Sequence, residues 1–371
     1  MNFDLTEEQQ VVKDLALQIF EGQATVERVK AVEKADGFDR DLWATLAESG
    51  IQSLCVPEQH GGSGFGPVEL SLALMGQGRF VAPVPLWLAG VSALTLADFG
   101  SPAQQADYLP GIASGELVAT IALAEAGAND VLRPSVTAVV EGSSVRLTGF
   151  KPAVPFAQHA HIVLVPVDLG SSPAIAIVDL RTTSGVTVDT VSTTNREPQA
   201  HLTFDSVISS SDILGAGTGI DDREALRSLY EFSLTALSAI QVGVCEGSLA
   251  HTATHLSSRK QFGKPLAAFQ ATTQRAADGY ITTEAMRVTA INAAWRLAEG
   301  FDARRDVAVA AYWASQGGPE VVTACQHLHG GIGSDIDYPV HRYFQWGIQI
   351  ANILGSASSH LARLGNLISR I

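Results

Sequence analysis

The stretch that most narrows the fold is 222–258, where apolar residues recur at helical spacing almost without a break. At about 1.5 Å per residue such a helix runs on the order of 55 Å, too long for the core of a small domain and suited to one arm of a bundle. Three further helical stretches follow, at 266–298, 302–326 and 338–370. The segment 216–371 is therefore predicted to be a C-terminal four-helix bundle.

Upstream the period changes. Between 119 and 215 the chain carries short β-rich runs, at 118–124, 136–140, 145–147, 161–167, 174–178 and 201–204, separated by Gly, Ser and Asp. These predict a small middle β domain. Segment 1–118 reads as an N-terminal helical domain. Thr6, with Glu8 and Gln9, suits the cap of a helix whose buried stripe is read as Val11, Val12, Leu15, Leu17 and Phe20, and further helices are predicted at about 41–49 and 67–78. The fold class is mostly α with a central β domain, an α+β chain.

Composition sets the outer limits. A length of 371 residues allows two or three domains, and 46% hydrophobic with 17% charged residues is globular. No run of 18 or more apolar residues suggests a membrane span, and the first residues lack the basic and apolar regions of a signal peptide. Cys55, Cys245 and Cys325 stand far apart without metal-like spacing, which suits reduced thiols in a cytoplasmic protein. A net charge of −14 argues against nucleic-acid binding. It leaves room for an anionic nucleotide cofactor, which needs only a few placed positive groups or helix N-termini.

Two blocks carry chemistry. The first runs from Arg259 through Phe262, Gly263 and Pro265 to Gln270; its glycine and proline break the helical pattern and leave an arginine and an aromatic at an exposed turn. That suits a phosphate-bearing ligand. The second, about 60 residues on, is His329-Gly-Gly-Ile-Gly333 followed by 337–344, where paired glycines let backbone approach a flat or charged partner. Each alone is ordinary, a surface arginine and a glycine loop. Other short patterns are weaker. The glycine-rich 56–66 lacks the Lys-Ser/Thr of a phosphate loop, 215–219 has no βαβ unit around it and reads as a linker, and Ser257-x-x-Lys260 lacks companion motifs.

Together, Arg259-x-x-Phe262-Gly263 with Gln270, then Gly330-Gly331-x-Gly333 and the 338–342 helix start, resemble the acyl-CoA dehydrogenase family, flavoproteins that introduce a 2,3 double bond into acyl-CoA thioesters. The likeness runs from Phe3-Asp4-Leu5-Thr6 to the C-terminus. It implies a β-barrel-like middle domain, FAD as cofactor, an acyl-CoA substrate and electron-transfer flavoprotein or a similar acceptor as electron partner. In family homotetramers FAD lies across a subunit boundary. The resemblance gives Arg259, Phe262, Gln270, Gly330 and Gly331 the pyrophosphate and adenine end, with His327 where the family usually has Gln.

The chain departs from the family at the flavin ring and at the base. The first flavin loop is shortened to Ala124–Asp130, and in Lys151-Pro-Ala-Val-Pro155 an alanine, Ala153, replaces the usual Trp and Pro155 the usual Thr. Proline supplies no N–H. The family's catalytic Glu positions hold Leu354 and Ser233; the nearest carboxylate to the second is Glu231, about 200° round the helix. Such a chain looks like the non-catalytic subunit of the α2β2 acyl-CoA dehydrogenases of bacterial steroid side-chain degradation, paired with a catalytic subunit. Two other readings stay open: a homotetramer using an off-position base such as Glu231, and a flavin-free helical interaction protein.

Overall fold

The computed structural model describes residues 4–127, 130, 132–353 and 355–369. In chain order the first helices are α1 (Glu7–Gln23), α2 (Val26–Lys34), α3 (Arg40–Glu48), α4 (Pro67–Arg79), α5 (Leu86–Phe99) and α6 (Pro102–Ser114). Seven strands follow: β1 (Ala119–Ile121), β2 (Thr137–Glu141), β3 (Ser144–Pro155), β4 (Ile162–Asp168), β5 (Pro173–Asp179), β6 (Val186–Val191) and β7 (Gln199–Ser209). Then come α7 (Asp222–Ser258), a hairpin of β8 (Lys260–Gln261) and β9 (Lys264–Pro265), α8 (Gln270–Ala298), α9 (Arg304–His329), α10 (Val340–Ile353) and α11 (Ala357–Ile368). The chain divides into two compact units, Met1–Lys30 with Pro67–Ala82 and Leu234–Ile371, and Ala31–Gly66 with Pro83–Ser233.

The first unit is helical. Thr6 caps α1 through a reciprocal pair with Gln9, hydroxyl to backbone and amide to backbone. The buried stripe of α1 is Val12, Ala16 and Phe20, while Val11 is exposed. Consecutive helical residues lie 100° apart, so Val11 and Val12 cannot both sit at the centre of one face; the predicted stripe was too wide. α9 packs against α8, α10 and α11. The predicted helix at 338–370 is two helices, because Gly355 takes φ +119°, a conformation that favours glycine. Leu354 lies outside the described residues. α7 is long and apolar enough to cross a membrane by composition, but 89% of its apolar window is buried inside the protein.

α4 and α7 touch backbone to backbone. A Cβ on Gly78 would stand 2.1 Å from the Ile240 carbonyl oxygen, one on Gly243 2.0 Å from that of Met75, and one on Gly247 2.2 Å from that of Arg79. The Tyr343 hydroxyl donates to the Arg79 carbonyl at 2.8 Å, tying α10 to the same contact. On another face of α7, fully buried Gln241 donates to the Gly347 carbonyl at 3.2 Å, and only a glycine at 318 admits its amide. Gly243→Ala is expected to destabilise the chain by about 1 to 3 kcal/mol through overpacking. A melting midpoint equal to wild type would show that the two helices separate freely.

The second unit is built on one curled seven-stranded sheet in the order β1-β4-β2-β3-β7-β6, with β5 on β4. Its core is mostly aliphatic, with Val145, Leu147, Val163, Val165 and Leu202 turned inward together with the Phe204 ring. β6, at the edge of the sheet, was not among the predicted runs, and Val186-Thr-Val-Asp-Thr-Val191 buries none of its residues fully. The 211–215 segment, which leads into the predicted 215–219 linker, is pinned by Gln104. Its amide donates to the Ser211 and Ile213 carbonyls at 2.8 Å each, and its oxygen accepts the Gly215 N–H at 2.9 Å.

Candidate functional site

α7 ends where side chains begin to satisfy its last carbonyls. Ser258 Oγ donates to the Thr254 carbonyl at 2.8 Å, and the Arg259 N–H closes on His255 at 2.8 Å. Beyond it the chain turns through β8 and β9, paired Lys260 to Pro265 and Gln261 to Lys264, and the Leu266 N–H returns to the Arg259 carbonyl at 2.9 Å. The two turn residues, Phe262 and Gly263, both have positive φ, +51° and +80°. A two-residue turn of this hand is served best by Asn-Gly, and a bulky residue at positive φ is an outlier. Phe262 is also 92% exposed. Neither backbone preference nor burial accounts for a phenyl ring here, so the residue suits contact with something outside the chain.

Around that ring the surface is cationic and aromatic. The Arg259 side chain is exposed, Phe269 stands edge-on 6.2 Å from Phe262, and the Lys264 ammonium sits 4.3 Å from the Phe269 centroid. Exposed Gln270 opens α8, whose first turn has no side-chain cap. The predicted residues Arg259, Phe262 and Gln270 thus border one hairpin.

The second block arrives at the end of α9. His329 stacks on His255 with centroids 4.5 Å apart and planes at 30°, which brings the end of α9 to the end of α7. His329 Nδ1 donates to the Cys325 carbonyl at 2.8 Å, and the Tyr338 ring lies 5.3 Å away on another side. Gly330 follows with φ +65° and ψ −144°, a conformation essentially reserved for glycine, and a Cβ added to Gly330 or Gly331 would meet nothing within 4 Å. Open backbone at this point suits close approach by a ligand or a neighbouring chain. His327 is exposed, and its carbonyl accepts the Gly330 N–H. Burial pushes both stacked imidazoles below their ordinary pKa; His329 and then Arg259 add to this at His255. Both rings are accordingly neutral at neutral pH. The sequence reading did not name His255, although its place one turn before Arg259 was the available signal.

The middle β domain presents different chemistry. Lys151 and Glu125 form an ion pair with side chains 0% and 1% exposed. Glu125 also accepts from Ser135, from the hydroxyl at 2.5 Å and the N–H at 3.3 Å. Burial, opposed by Glu125, holds the Lys151 ammonium below its usual range. Lys151-Pro-Ala-Val-Pro155 is the end of β3, with a bulge between Lys151 and Val154 and Ala153 at φ +48°. The Ala153 N–H is taken by His201 Nδ1 at 3.0 Å, and Pro155 has none to offer. Of the first loop, residues 128 and 129 lie outside the described residues. Positions 153 and 155 therefore offer a flat, hydrogen-bonding ring neither an aromatic wall nor a free backbone donor. The exposed cations and aromatic rings at the hairpin suit a phosphate-bearing ligand, and positions 153 and 155 do not suit the seat of a flat ring.

Of the candidate base positions, Ser233 and its neighbour Glu231 lie on α7, and Leu354 lies outside the described residues. Ser233 is fully buried and its hydroxyl donates to the Leu229 carbonyl at 2.7 Å. The Glu231 side chain is 12% exposed and lies 4.0 Å from Arg227.

Two family profiles match the chain: the acyl-CoA dehydrogenase N-terminal domain over residues 6–116 and the acyl-CoA dehydrogenase C-terminal domain over residues 230–359. The acyl-CoA dehydrogenase FadE27 of Mycobacterium tuberculosis is 36% identical, over 98% of each chain. Among solved structures, a variant of the Tcur3481–Tcur3483 steroid ACAD is similar at 42% identity and TM-score 0.92, over 98% of each chain. The ChsE4–ChsE5 complex from Mycobacterium tuberculosis is similar at 35% identity and TM-score 0.93, over the full length of both chains.

Proposed function

The chain belongs to the acyl-CoA dehydrogenase family, and from that premise we propose that it is the subunit that lends the pyrophosphate and adenine half of an FAD site to a catalytic partner. FAD, when bound, supplies the hydride acceptor for 2,3-desaturation of an acyl-CoA. In this reading Arg259 pairs with the pyrophosphate, Phe262 packs on the dinucleotide and Gln270 hydrogen-bonds it. Gly330 and Gly331 let backbone close on the same group, with His327 at the rim. The partner provides the seat of the ring and the carboxylate that removes the α proton.

The observation that carries the reading is Phe262, an exposed phenyl ring held in a backbone conformation that disfavours it. The ChsE4–ChsE5 complex and the paired name Tcur3481–Tcur3483 support an assembly of two different chains, and the steroid ACAD supports a steroid-derived acyl group. Electron-transfer flavoprotein or a similar protein is the acceptor that such a family member would use.

Co-expression with candidate catalytic acyl-CoA dehydrogenase subunits, followed by counting flavin per subunit, tests this. The expected result is a colourless chain when purified alone and a yellow, active hetero-oligomer in the presence of the partner. A yellow chain that oxidises acyl-CoA alone would sink the reading and favour a homotetramer. In that case Glu231→Gln identifies whether Glu231 is the base.

A further inference from the structure

Resting on the reading above, we propose that His255 is a further binding residue of the Arg259 site, its imidazole N–H donating to a phosphate oxygen of the dinucleotide. His255 lies in the last turn of α7, four residues before Arg259, whose N–H closes on the His255 carbonyl at 2.8 Å and whose guanidinium is near enough to act on the imidazole. Its ring is fixed before any ligand arrives. It stacks on His329, and His329 is itself held by the Cys325 carbonyl and flanked by Tyr338. No hydrogen bond to the His255 ring is found among the described residues, and the ring is only partly buried. A neutral imidazole carries one N–H donor, and here that donor has no internal use.

The surrounding backbone shows why such a donor matters. α7 and α9 both end at this point, and helix C-termini present carbonyl oxygens with partial negative charge, the wrong sign for a phosphate. Ser258 spends its hydroxyl on the Thr254 and His255 carbonyls. The end of α7 can therefore hold an anion only through side chains, and Arg259 and His255 are the donors that it supplies. The cluster is no metal centre: among the described residues no group of three or more His, Cys, Asp or Glu could hold an ion.

The test uses the assembled complex, stripped of flavin and titrated with FAD, with binding read by flavin fluorescence and folding by thermal melting. His255→Phe keeps a ring for the stack and removes the donor; His255→Gln restores a donor. The expected result is that His255→Phe weakens FAD binding about 5- to 20-fold with an unchanged melting midpoint, and that His255→Gln recovers part of the loss. If His255→Phe binds FAD like wild type while Arg259→Ala does not, His255 only packs and the inference is overturned with the proposed function intact. If Arg259→Ala also binds like wild type, the proposed function fails and this inference with it. A loss in His255→Phe matched by a fall in melting midpoint, unrescued by His255→Gln, likewise overturns it.

Discussion

Arg259→Ala is expected to strip the purified hetero-oligomer of most of its flavin while leaving the chain folded. Arg259 is exposed at the end of α7, so its side chain carries little of the fold, and substitutions at such positions usually stay within about 0.5 kcal/mol. Its charge faces outward beside Phe262, and losing a charged hydrogen bond to a phosphate costs about 1.5 to 3 kcal/mol, roughly ten- to a hundred-fold in affinity. Arg259→Lys should fall between, since an ammonium keeps the charge and loses the planar fork. The measurement is bound flavin per subunit after gel filtration. Full retention in Arg259→Ala would remove the proposed cofactor role and revive the reading of the chain as a flavin-free interaction protein.

Lys151→Ala is expected to destabilise the β domain by about 3 to 5 kcal/mol, because it leaves the Glu125 carboxylate buried without its countercharge. Ser135 alone would then face that charge. The double variant Lys151→Met with Glu125→Gln should lose far less, since removing both charges also removes the cost of burying them. Urea unfolding of wild type, the single variant and the double variant decides the matter. A double variant as unstable as the single one would mean that packing of the lysine stem, and not the charge, holds the end of β3 to the 124–135 loop.

Much of the fold was legible because its signals are local. The helical spacing of 222–258 gave the bounds of α7, and short β-rich runs between Gly, Ser and Asp gave most of the sheet. What the sequence concealed was set by contacts at a distance. The break at Gly355 is invisible to periodicity, since apolar residues keep helical spacing on both sides of it. β6 is a half-covered edge strand that was missed although five of its six residues are β-branched. The Arg259 and Gly330 blocks were each readable as motifs, but their meeting depends on His255 and His329, 74 residues apart by number (329 minus 255) and stacked only in the folded chain. The capture of the Ala153 N–H by His201 is of the same kind, a long-range hydrogen bond that no window of sequence contains.

The contact between α4 and α7 has a genetic corollary. Every non-synonymous single-base change in a glycine codon that still encodes an amino acid introduces at least a Cβ, and at Gly78, Gly243 and Gly247 that carbon falls about 2 Å from a carbonyl oxygen of the facing helix. Random mutagenesis of this gene should therefore return almost no viable missense alleles at these codons, however permissive the nearby surface of the helices proves to be.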